Sequence, residues 1–165
     1  MKKYLMLISL ILVGLTMAMP PRAPDDWTYY KFEIAFCKAQ ALQDAFDGFA
    51  DPNCMSQSTY GQLATTMEQL NGDGGAVDQL LDTTSAGIEC RGDPACLARY
   101  RLQFRSQQST FNALMSNGLR LAVVAGREAM RPPYNCITPQ QFSQYYMMYT
   151  LEIMGCNGGG AIITP

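Results

Sequence analysis

The sequence predicts an all-α, disulfide-stabilised bundle of five helices, or six if the chain breaks near Asn117, behind a cleaved signal peptide. Three observations lead there. Apolar residues recur at helical spacing between strong breakers, and no stretch alternates apolar and polar residues as a half-buried strand would. The chain carries six cysteines and no histidine. Its first 18 residues have the three parts of an export signal.

Met1-Lys2-Lys3 supplies the positive start, Tyr4 to Leu15 an apolar run of 12 residues, and Thr16-Met17-Ala18 the small residues read at a cleavage site. Twelve residues fall well short of the roughly 20 that a transmembrane helix needs. Cleavage after Ala18 is therefore expected, with no stable membrane insertion afterwards. Residues 19–165 are expected to form a single helical domain, soluble and exported, with a loose tail from about residue 157 (NGGGAIITP).

The first helix is expected from Trp27, capped by Asp25-Asp26 after the Pro-rich entry at 19–24, with Trp27, Tyr30, Ile34, Cys37, Ala41, Ala45 and Phe49 as its apolar stripe and Leu42 and Phe46 widening it. Asp51-Pro52-Asn53 stops it. A second helix starts near Ser56 and carries Tyr60, Leu63, Met67 and Leu70; Asn71-Gly72-Asp73-Gly74-Gly75 ends it. A third carries Val77, Leu80, Leu81, Thr84 and Ile88. In Arg91-Gly92-Asp93-Pro94, glycine suits a left-handed exit, aspartate an N-cap and proline the first turn of the next helix. That long helix displays Leu97, Tyr100, Phe104, Phe111, Leu114, Leu121 and Val124, with Ser116-Asn117-Gly118 as a bend or break, and ends at Arg131-Pro132-Pro133. Thr138-Pro139-Gln140-Gln141 reads as a capping box opening the last helix, which shows Phe142, Tyr145, Tyr146, Tyr149 and Ile153 and closes at Gly155.

The cysteines are Cys37, Cys54, Cys90, Cys96, Cys136 and Cys156. An even set in an exported chain reads as a disulfide framework, and six cysteines allow 15 pairings. Cys37 sits in mid-helix about 20 Å from the turn that holds Cys54, whereas a disulfide tolerates ~6 Å between Cα atoms. Cys136 and Cys156 flank one helix at a similar separation, so the sequential pairing is disfavoured. The favoured set is Cys90–Cys96, Cys54–Cys136 and Cys37–Cys156, which fits the near-palindromic gaps of 16, 35, 5, 39 and 19 residues. The crossed set (Cys37–Cys136 with Cys54–Cys156) and a Cys54–Cys90 bridge are the alternatives.

Composition excludes several functions. Without histidine there is no histidine-dependent hydrolase, no histidine metal site and no imidazole to activate a thiolate. The acids Glu33, Asp44, Asp47, Glu68, Glu89 and Glu152 occupy no distinctive motif, and the Asn71–Gly75 segment is too short for a calcium loop and lacks its closing glutamate. No catalytic residue, metal ligand or cofactor is therefore assigned. After removal of the signal the chain has 10 basic and 14 acidic residues, a net charge of −4 that gives no reason to invoke nucleic acid. Residues 19–90 hold 3 basic and 11 acidic side chains, and residues 91–165 hold 7 and 3, all seven bases being arginines. The simplest account has the acidic and basic helices lying side by side.

The sharpest short motif is Arg91-Gly92-Asp93 between Cys90 and Cys96. If the bridge closes, it resembles the constrained Arg-Gly-Asp loops through which adhesion ligands and disintegrin-type toxins engage integrins, with the aspartate offered to a receptor metal. The last helix, with Tyr145, Tyr146, Met147, Met148 and Tyr149, is too apolar to face one way only. Exported six-cysteine helical proteins include the insect odorant-binding carriers, but those have a gap of three residues between their second and third cysteines; here that gap is 35. The expected function is non-catalytic binding of an extracellular protein partner or assembly. Carriage of a small apolar ligand and integrin binding through Arg91, Gly92 and Asp93 are the alternatives.

Overall fold

The computed structural model describes residues 26–48 and 51–157. The signal peptide expected at 1–18, the Pro-rich entry and the tail beyond 157 lie outside the described residues. In chain order the helices are α1 (Asp26–Asp47), α2 (Gln57–Asn71), α3 (Ala76–Ile88), α4 (Pro94–Ala129) and α5 (Pro139–Asn157), and no strand occurs among the described residues.

Local chemistry places the ends of these helices. The Asp51 carboxylate accepts from the Asn53 N–H at 2.8 Å, making the Asx turn before α2. The Ser56 hydroxyl caps α2 by accepting from the Thr59 N–H at 3.2 Å. Between α2 and α3 the chain turns through Gly74 at φ +71°, a conformation that costs glycine little. At the start of α5, Thr138 and Gln141 form a reciprocal capping box: the Thr138 N–H donates to Gln141 Oε1 at 2.8 Å, and the Gln141 N–H donates to Thr138 Oγ1 at 3.2 Å.

α4 is the spine. At 36 residues it runs for about 54 Å. Its Phe104 and Phe111 are 0% and 2% exposed and pack with Leu63, Met67 and Leu70 of α2, Leu80 of α3, and Leu42 and Phe46 of α1 in one core. Thr66 and Thr84 are buried, each hydroxyl donating to the carbonyl four residues back, so both are satisfied by their own helices. Helix α5 lies outside this core and packs mainly on α1. Cys37 of α1 is bonded to Cys156 of α5, and Tyr145 lies beside Gly48, so the two helices run antiparallel.

Three bridges staple the array, with Cα–Cα distances of 5.7 Å for Cys37–Cys156, 5.7 Å for Cys54–Cys136 and 5.6 Å for Cys90–Cys96. The first two fasten α5 near both of its ends. The tight third bridge spans the turn between α3 and α4.

Three expectations are corrected. The chain does not break near Asn117; α4 continues through it to Ala129. Gly118 is there for proximity, because a Cβ would lie 2.7 Å from Leu42 Cδ2, and the Asn117 amide donates to Thr66 Oγ1 at 3.1 Å. The stripe predicted for α1 meets the core only in part. Leu42 and Phe46, which widen it, pack there with Ala35 and Ala39, while Cys37, Ala41 and Ala45 lie on the side toward α5, Tyr30 is exposed, and Phe49 lies outside the described residues. A helix packed between two layers needs two apolar faces. Finally, α5 extends to Asn157, two residues past the glycine expected to end it.

Candidate functional site

Two surfaces stand out: the outer side of α5 and the loop between α3 and α4. The inner side of α5 rests in the groove between α1 and α4. Phe142 lies directly against Gly126 of α4, where a Cβ would collide with its ring. Leu42, Ala45, Leu119, Ala122, Val123, Phe142, Tyr145, Tyr146 and Tyr149 line a cleft whose enclosed volume is about 20 Å³, room for a single water. An apolar ligand of ordinary size needs some 300 Å³ or more, so it would have to displace α5. Burial here raises the Tyr149 phenol above its ordinary value, with a further contribution from Tyr146.

The outer side of α5 is apolar in its C-terminal half. Met147, Met148, Leu151 and Met154 are exposed there, Met147 at 61%, and Tyr146 is exposed at the edge of the cleft. Only Cys156 of the whole helix is fully buried. An apolar side chain on an exposed helix is commonplace; five in nine residues on a helix pinned by two disulfides are not.

The single carboxylate of α5, Glu152, sits to the side of that face. Desolvation and then the charge of Asp44 on α1 raise its pKa. Glu152 and Asp44 are both exposed, and neither lines the cleft.

In the other surface, Arg91, Gly92 and Asp93 are exposed within the loop that Cys90–Cys96 closes. Arg91 has φ +48° and Gly92 φ +85°. The left-handed region suits Gly92 and costs Arg91 on the order of 1 kcal/mol. The Asp93 N–H donates to the Cys90 carbonyl at 2.9 Å. Asp93 Oδ1 accepts from the N–H groups of Ala95 at 2.9 Å and Cys96 at 3.4 Å, so the carboxylate caps α4 while Pro94 opens its first turn.

One functional-looking acid was invisible in the sequence. Glu128, near the end of α4, reaches the start of α2. Its Oε2 accepts from the Ser56 N–H at 2.7 Å, and Oε1 accepts from the Thr59 hydroxyl at 2.8 Å and the Ser56 hydroxyl at 3.3 Å. The Ser56 N–H bond is the main reason its pKa is lowered, desolvation opposing. The contact spans 72 residues, so no local pattern announces it. The role is structural: a carboxylate borrowed from a distant helix completes the α2 N-terminus beside the Cys54–Cys136 bridge.

Comparison with protein-family models, curated proteins and solved structures finds no match to this chain.

Proposed function

We propose that this is an exported, non-catalytic binding protein that engages an extracellular protein partner or assembly through the outer side of α5. The observation that carries the reading is a helix fastened near both ends by disulfides yet apolar on the side turned to solvent. Three disulfides are consistent with folding outside the reducing cytoplasm. Fastening α5 in advance lowers the ordering cost of binding through it.

The test is retention of proteins from the extracellular fluid of the source on immobilised oxidised protein. Saturable retention that is lost in Met147→Glu/Leu151→Glu and kept in the exposed control Ser106→Glu supports the reading. Equal retention by all three overturns it. N-terminal sequencing of the exported chain should begin at Met19.

A second reading rests on the closed, exposed Arg91-Gly92-Asp93 loop. Both cap bonds of Asp93 fall on Oδ1, so Oδ2 is the oxygen a receptor metal would take. Asp93→Glu should abolish adhesion of integrin-bearing cells while changing stability by no more than about 1 kcal/mol. Undiminished adhesion to the variant would dispose of this reading.

A further inference from the structure

Side chains on α5 advance by about 100° per residue. Tyr145, Tyr149 and Cys156 thus point toward α1, and Met147, Leu151 and Met154 lie on the opposite side at i, i+4 and i+7. Met148 widens this strip.

We propose that this face is the interface of a weak homodimer, in which the α5 helices of two copies pack antiparallel about a two-fold axis near Leu151. The proposal rests on the reading that the outer side of α5 is the binding face, and it names a second copy of this chain as the occupant.

Charge favours a copy over other occupants. In 19 residues α5 has no lysine or arginine and one carboxylate, Glu152, which is turned aside toward Asp44. Two such faces oppose without like charges on the seam. A helix that lies on a membrane instead carries a basic polar face, and α5 has none. Toward the N-terminus of α5 the same face continues through Gln140, Ser143 and Gln144, and Thr150 lies beside it, so the apolar patch ends in an uncharged polar rim.

Area sets the strength. With ~200 Å² for a fully exposed side chain of this size, Met147, Met148, Leu151 and Met154 present about 450 Å² per copy. Both copies together reach about 900 Å², below the ~1,200 Å² of standard specific interfaces and in the range of weak, transient ones. The dimer should therefore dissociate at micromolar concentrations. Two-fold packing closes the assembly at two copies, so no larger polymer is expected.

Sedimentation equilibrium of the oxidised protein, from about 1 to 500 µM, tests this. The mass should rise from one chain to two for the wild type. It should stay at one chain for Met147→Glu/Leu151→Glu at every concentration, with an unchanged circular dichroism spectrum and unfolding midpoint. Leu81→Glu, at an exposed apolar site on α3, should dimerise as the wild type does. Leu151→Lys and Leu151→Glu should each be monomeric alone and form a dimer when mixed, which also guards against a misfolded variant.

A wild type that remains one chain throughout overturns the proposal, whether or not it sediments with phosphatidylcholine–phosphatidylglycerol vesicles. So does a dimer that survives in Met147→Glu/Leu151→Glu. If the wild type is monomeric while extracellular retention still depends on α5, the dimer falls and the binding reading stands. If the dimer forms and retention ignores α5, the dimer stands and that reading falls.

Discussion

Replacing Glu128 tests whether a carboxylate at the end of α4 holds the start of α2. In Glu128→Ala the Ser56 N–H loses its 2.7 Å partner and the Thr59 hydroxyl its 2.8 Å one. A hydrogen bond to a charged group contributes about 1.5–3 kcal/mol, and the half-buried position of Glu128 argues for the lower end. The Ser56 hydroxyl still caps Thr59, so α2 should survive. The expected loss at neutral pH is about 1.5–2 kcal/mol, or roughly 5 °C in Tm for a domain of this size.

The pH dependence separates this cause from simple loss of side-chain packing. The folded-state pKa of Glu128 lies below its ordinary value of 4.5. Its contribution is therefore fully present above about 4.5 and is lost as pH falls through the folded value. Thermal unfolding of wild type and Glu128→Ala at pH 7 and pH 3 should show the gap between them shrinking in acid. Glu128→Gln should lie between the two at pH 7, since an amide offers one acceptor where the carboxylate offers two. A gap that is the same at both pH values, or absent at pH 7, refutes the reasoning.

Glu152 should behave in the opposite sense. Its raised pKa means that the folded state holds the proton more tightly, so its contribution to stability improves as pH falls; Glu152→Gln should stabilise by under about 1 kcal/mol at pH 7 and lose that advantage near pH 3, as denaturant titrations at both values would reveal. Gly126→Ala puts a methyl group into the Phe142 ring, and overpacking of ~1–3 kcal/mol should outweigh ~1 kcal/mol of gained helix propensity; hydrogen exchange should quicken across α5 and stay unchanged in α2 and α3. Serine replacement of Cys90 and Cys96 should cost about 2 kcal/mol, given their separation of 6. Replacement of Cys37 and Cys156 should cost about 4 kcal/mol. With Cys54–Cys136 still closed, the loop released is the difference between separations of 119 and 82, or 37 residues. Equal costs in urea titrations would contradict the loop-entropy account.

The sequence alone determined what local chemistry controls. The helical class follows from periodicity between breakers, and two helix starts follow from side chains capping their own backbone at Asp93 and Thr138. Helix length argued against joining Cys37 to Cys54 or Cys136 to Cys156, because a rigid rod keeps its ends apart, and the two nested bridges of the structure lie across the chain. The exposed turn with Arg91, Gly92 and Asp93 was also legible, since glycine exit, cap and proline act within four residues.

Tertiary structure decided everything that depends on a partner far along the chain. A small residue reads as a breaker or as a point of close approach depending on what lies opposite, so Gly118 could be assigned only once Leu42 was seen against it. The two apolar faces of α1 were separable only after α5 was seen to cover one of them. Glu128 became a cap through a fold that brings α4 back to α2. The same holds for α5: its aromatic and methionine content was plain in the sequence, but which side faces solvent depends on where two disulfides pin it. Capping acts over four residues, whereas burial is a property of the assembled neighbours.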